Sequence, residues 1–175
     1  MRRPLLALAA VLVAGAVAYQ WVLRDEVVSP QVDVPRPTAS LGPGPDAVGI
    51  GPGGEVLAWL PPPEEGSVPQ LPAMAPPKGG RLSGPMLQQA RVLGAAPAAL
   101  RPHLASSFYG EGGVDVELRS GVELRFGDAS NVGAKWRAAA AVLADPSIVA
   151  LDYVDLHAPS RPAVGGSGHL LPPVP

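Results

Sequence analysis

The sequence predicts an α+β protein: an N-terminal transmembrane helix, a Pro-rich linker, and an antiparallel β-sheet domain with flanking helices. Three observations carry this. Pro4 to Leu23 is a run of twenty residues without a charge. Residues 114–126 alternate apolar and charged with period two, the pattern of strands with one buried face. Residues 82–93 and 132–143 repeat apolar side chains at helical spacing. The predicted boundaries follow: 1–3 a cytoplasmic N-terminus, 4–23 the transmembrane helix, 24–45 an extracytoplasmic Pro-rich linker, 46–165 the β-domain, and 166–175 a disordered tail.

Composition bounds the answer. The chain has 175 residues, so beside the apolar first segment there is room for one folded domain. Charged residues are 16% and the net charge is -2, which lacks the clustered basic face of a nucleic-acid binder. There is no cysteine, which excludes disulfides, thiolate metal sites and cysteine nucleophiles. With 23 prolines, 21 glycines and 5% aromatics, long irregular segments and a small core are expected.

The first element is the apolar run. At about 1.5 Å per residue a twenty-residue helix spans roughly 30 Å, one bilayer core. Pro4, Leu12 and Leu23 mark its length, and Tyr19 and Trp21 lie near its outer end, where aromatic rings favour the interface. Arg2 and Arg3 precede it, which predicts a cytoplasmic N-terminus and an extracytoplasmic remainder. Ala16-Val17-Ala18 has the small-x-small form of a signal-peptidase site. The competing reading is therefore a secreted or surface-tethered binding module released by cleavage. Continuation of the apolar run to Leu23 favours the retained anchor.

Prolines 30, 35, 37, 43 and 45 then punctuate a segment without periodicity, an extended tether. Gly49-Ile50-Gly51-Pro52-Gly53-Gly54 fits a dinucleotide-binding pattern only formally. Pro52 removes a backbone donor, and a strand-like Glu55–Leu60, not a helix, follows. A Gly-rich turn opening a strand is the reading, with Pro61-Pro62-Pro63 as its stop. Leu71-Pro72 offers a short pairing point.

Leu82, Met86, Leu87, Ala90 and Leu93 form a helical stripe, with Ser83 at the N-cap, Pro85 in the first turn and Gly94 as the stop. Residues 97–100 suggest a short helix, and 103–109 a strand. In the central hairpin a two-residue turn would set the apolar sets on opposite sides. A loop Arg119-Ser120-Gly121 instead pairs Leu118 with Val122, Val116 with Leu124 and Val114 with Phe126, with Gly121 left-handed. Glu117 then faces Glu123, with Arg119 and Arg125 diagonal to offset the repulsion. Asp128, Ser130 and Asn131 offer caps for a helix with Val132, Trp136, Ala139, Ala140 and Leu143 on one face. Residues 148–156 suggest a strand covered on both faces, and Val164-Gly165 a last short edge.

The chemistry-bearing residues do not assemble into a catalytic set. His103, His157 and His169 lack metal-ligand spacing and read as surface histidines. Gly165-Gly166-Ser167-Gly168-His169 misses the second glycine of a nucleophile elbow. Asp152 and Asp155, three apart in a strand, fall on opposite faces. No enzyme activity, cofactor, metal or small-molecule substrate is expected.

The ordered set resembles the FtsQ/DivIB family of bacterial cell-division proteins. The residues that carry the likeness are Ser120-Gly121-Val122-Glu123-Leu124-Arg125-Phe126-Gly127-Asp128, Lys135, Val142-Leu143, Tyr153-Val154-Asp155-Leu156, Pro159 and Arg161-Pro162-Ala163-Val164. It covers roughly Asp46 to Gly165, plus the anchor. Family members usually carry a POTRA domain between span and β-domain; here only the proline-rich segment stands in that place. The resemblance implies a non-enzymatic, single-pass scaffold in the cell membrane. It would bind FtsB/DivIC-like and FtsL-like partners at the septum by adding a partner strand to its last sheet edge. Carried over by motif, that edge runs from Ser160 to Gly165 through Ala163 and Val164, with Val154 and Leu156 beneath it. Lys135 matches a basic helix position that contacts an acidic partner residue or lies on a solvated helix face. Ala158 and Gly166 stand where some relatives carry aromatics.

Overall fold

Ala39–Leu41 forms a strand, β1, within the stretch whose prolines predict a linker. Pro37 and Pro43 bracket Thr38 to Gly42, a run that keeps every backbone N–H and so can join a ladder. Ala39 and Leu41 are buried. The folded unit therefore begins at Pro35, ten residues before the expected linker end at Pro45. The computed structural model describes residues 34–42, 44–72 and 76–171. The predicted cytoplasmic start and transmembrane helix, with Pro4, Leu12, Tyr19, Trp21 and Leu23, lie outside the described residues. Among those described, no helix is long and apolar enough to cross a membrane.

The other strands are β2 (Val48–Ile50), β3 (Gln70–Leu71), β4 (Leu104–Gly110), β5 (Gly113–Leu118), β6 (Glu123–Gly127), β7 (Ala150–Asp155) and β8 (Ala163–Leu170). They form one sheet in the order β2-β1-β3-β4-β5-β6-β7-β8. The α+β class is as expected, but the sheet is mixed. Strand β3 runs parallel to β1 and β4, and β6 runs parallel to β7. The last of these has a plain cause. A helix joins β6 to β7, and a crossover of that length returns the chain in the same direction.

The central hairpin has the register read from its alternation. Val116 pairs with Leu124 and Glu117 with Glu123, and the Leu118 N–H donates to Val122 O at 2.8 Å. Gly121 has φ +90. One pairing differs: Val114 sits opposite Gly127, not Phe126, because Phe126 is an extra residue in a bulge. Arg125 offsets the facing glutamates by pairing with Glu123 at 2.7 Å. Arg119 does not; its guanidinium donates to Pro102 O and Gly66 O at the turn.

Helix α1 (Gly84–Gly94) starts after Ser83 with Pro85 in its first turn. Gly94 ends it for a reason other than a left-handed cap. A Cβ there would come within 2.6 Å of Pro52, so the missing side chain admits that loop. Helix α2 (Val132–Leu143) buries Lys135, Trp136 and Ala139. Trp136 packs on Phe126 with ring centroids 4.7 Å apart. Its indole N–H donates to Val92 O at 2.8 Å, satisfying one of the carbonyls a helix C-terminus leaves free. Helices and strands share one hydrophobic cluster.

Cross-strand partners lie on the same face. On the face opposite the core, Ser106, Glu117, Glu123, Tyr153 and Gly165 form one row, and Phe108, Asp115, Arg125, Asp155 and Ala163 the next. Glu55–Leu60 is not a strand: Glu55 and Val56 make only isolated bridges after the glycine turn. Strand β7 starts at Ala150, and Val149 is 69% exposed, so the predicted double covering of 148–156 fails at its start.

Candidate partner-binding edge

Strand β7 supplies the floor of the last edge. Val154 and Leu156 are fully buried, as expected of residues beneath it. A turn at 158–161, closed by the Arg161 N–H on Ala158 O at 2.9 Å, reverses the chain. Ser160 is exposed in this turn and is not part of the strand, which corrects its expected place on the edge. Pro162 follows, and the ladder opens at Ala163, where N–H groups resume.

Strand β8 then continues to Leu170, five residues past the expected end at Gly165. Residues 166–170 are therefore strand, not a disordered tail. Glycine-rich composition hid them, because glycine weakens any strand reading. Ala163 pairs with Asp155, Val164 with Val154 and Gly165 with Tyr153.

The direction of the free backbone groups follows from the ladder. The Leu156 N–H donates to Arg125 O on β6 at 2.9 Å. Alternate residues of a strand point their amides to opposite sides, so Val154 faces β6, while Tyr153 and Asp155 face β8. Ala163 and Gly165 return those bonds. Val164 consequently turns its N–H and C=O away from the sheet, with its side chain 46% exposed. Among the described residues nothing pairs with the outer side of β8. The other edge is occupied: beyond β2, the Leu57 N–H donates to Gly49 O at 2.8 Å, and Val56 bridges Ile50.

The edge holds no lysine, arginine, carboxylate or proline over residues 163–170. Proteins usually blunt exposed edges with lysine, proline or a bulge. Here a bulge is present. Between the pairs Leu151–His169 and Tyr153–Gly165, β7 advances two residues and β8 four. Gly166 takes φ +80, which side chains rarely adopt. Asp152 holds the surplus, accepting the Gly168 N–H at 2.7 Å.

Lys135 is not on this edge. It is 3% exposed, and its ammonium donates to Phe126 O at 2.8 Å and to the Asp128 carbonyl and carboxylate, both at 2.9 Å. The Phe126 bulge turns that carbonyl toward helix α2. Hydrogen bonds from Ser130 and then Lys135 hold the Asp128 carboxyl far below its usual range. The expected contact with an acidic partner, or a solvated helix face, is replaced by an internal pin.

His157, read from sequence as a surface residue, bridges two elements beside the edge. Its Nδ1 lies 2.8 Å from Asp155 Oδ1 and its Nε2 3.1 Å from Gly112 O. Asp155, then the Gly112 carbonyl, raise its pKa above the usual histidine value. Burial raises that of Asp155, but the backbone and ring donors of His157 outweigh it and the net shift is downward. On the open face burial, then repulsion from Glu123, push Asp115 up. The Arg125 guanidinium stacks over Tyr153, 4.0 Å from the ring centroid.

Of the residues expected at the site, Val154, Leu156, Ala163, Val164 and Gly165 come together, while Ser160 and Lys135 stand apart. Asp152, His157 and Leu170 were missed. The two-residue spacing of Asp155 and His157 at a strand end was the one signal for His157; Asp152 and Leu170 had none.

The chain matches no family model, and no curated protein matches it.

Proposed function

We propose that this protein is a non-enzymatic, single-pass scaffold of the bacterial division machinery. It holds FtsB/DivIC-like and FtsL-like partners by adding a partner strand to β8, and so helps control septal cell-wall synthesis. Its place would be the cell membrane, N-terminus inside and β-domain outside. The membrane placement and the family of partners come from the sequence resemblance. The observation that carries the binding mode is the uncharged outer side of β8, whose Val164 N–H and C=O face away from the sheet. Such an edge binds through main-chain bonds, and Val164 adds an apolar contact.

Two variants test it in pull-downs from the native membranes. Val164→Asp places a charge on the edge. Val164→Pro introduces no charge and removes the outward N–H, which no intrachain bond uses, together with the valine side chain. Both should keep the fold and lose FtsB/DivIC-like and FtsL-like proteins. Full capture by both folded variants would refute the edge as the docking element.

A further inference from the structure

The bulge in β8 has a second consequence. An open, uncharged edge pairs as readily with a second copy of itself as with another protein. Lysine, proline and inward charges, the usual guards, are missing from residues 163–170. The two surplus residues are the device that remains. They are not a loose irregularity. Asp152 accepts the Gly168 N–H at 2.7 Å, and a Cβ on Gly166 would run into the Asp152 carboxylate. Gly166 also has the positive φ that bends the chain out of the ladder.

We propose that this glycine bulge keeps β8 from pairing along its length with a second copy of the chain, so that a self-pair is confined to Ala163–Gly165, the stretch a partner strand would use. The inference rests on the reading of β8 as a docking edge. A symmetric antiparallel pair of β8 strands that matches the outward-facing Val164 with Leu170 of a second copy must cross the bulge on both strands. The kink interrupts both ladders at their middle, where Gly165 to Gly168 depart from regular pairing. A pair centred on Val164, whether with a foreign strand or with Val164 of a second copy, meets no such break but has only Ala163–Gly165 to bond. The bulge thus limits self-pairing to three residues and leaves the preference for a partner to that partner's own side chains.

The register supplies the test. Deleting Gly166 and Ser167 from the full chain removes the surplus and brings Leu151–His169 and Tyr153–Gly165 into one regular ladder. The mass of wild type and variant in detergent solution is then compared by light scattering across the micromolar range. The straightened edge should at least double the wild-type mass, and Val164→Lys in the deletion background should restore it. If the folded deletion variant keeps the wild-type mass, the proposal is overturned. It is also overturned if wild type already self-associates and Val164→Lys abolishes that. Should the deletion prevent folding, Asp152→Ala, which frees the Gly168 N–H, must shift the mass in the same direction; an unchanged mass overturns the proposal. Failure of partner capture leaves this readout untouched, so the two ideas fall separately.

Discussion

Replacing Lys135 by methionine separates two roles for that residue. Methionine keeps most of the stem and removes the ammonium. Three hydrogen bonds of 2.8 to 2.9 Å disappear, and the Phe126 carbonyl in the bulge loses its partner. Hydrogen bonds to charged groups contribute about 1.5–3 kcal/mol each, and an orphaned buried acceptor costs about 1–3 kcal/mol. The Asp128 side chain is 66% exposed and recovers water, so its share is left out. The removed ammonium also no longer needs desolvating, which returns part of the loss. The net expectation is a destabilisation of about 2–4 kcal/mol. Urea unfolding followed by tryptophan fluorescence measures it, since Trp136 sits one residue away in the core. Asp128→Asn should cost far less. A Lys135→Met change below about 0.5 kcal/mol, the ordinary range for surface positions, would refute the pin. Unchanged stability with lost partner capture would restore the contact role expected from sequence.

Trp136→Phe keeps the packing on Phe126 but leaves Val92 O without its donor, and should cost about 1–3 kcal/mol in the same unfolding assay. Gly121→Val meets the His169 ring and a φ of +90, so it should destabilise by about 1–3 kcal/mol or more and loosen the hairpin end, read as faster amide exchange at Leu118. His157 should titrate above the ordinary histidine value near 6.5 by proton NMR. Its folded pKa is raised, so its stabilising share is full below the unfolded value and is lost as pH rises through the folded one. His157→Asn should flatten that part of the stability curve; an unchanged pH dependence would remove the bridge from the account.

The central hairpin was legible because its register has a cost attached to every error. A one-residue slip would have buried Asp115, Glu117, Glu123 and Arg125, so alternation alone selected the three-residue loop. Both helices were legible for the same reason: Ala90 and Leu93, and Trp136 and Ala139, fall on single faces and are buried. Strands β1 and β2 were not. Each has three residues, too short for a period to emerge, and they are held by non-local pairing with β3 and by cover from Leu57. Lys135 misled because charge type predicts exposure, whereas its burial depends on a bulge at Phe126 nine residues earlier.

The edge strand sits between these cases. Its start was legible, since Pro162 ends one ladder direction and Ala163-Val164 reopens it. Its length was not, because Gly165-Gly166-Ser167-Gly168 has no side-chain pattern to read. The information lay across the sheet, in Asp152. A carboxylate that accepts the Gly168 N–H turns a sequence that favours loop into a bulged strand, and carries the edge on to Leu170. Composition reports what a segment prefers alone; the partner across the ladder decides what it adopts. The same fact limits what can bind there. A strand docking on β8 reads the bulge as a break in acceptors and donors, so its matching stretch must be short and centred near Val164, whatever its sequence beyond.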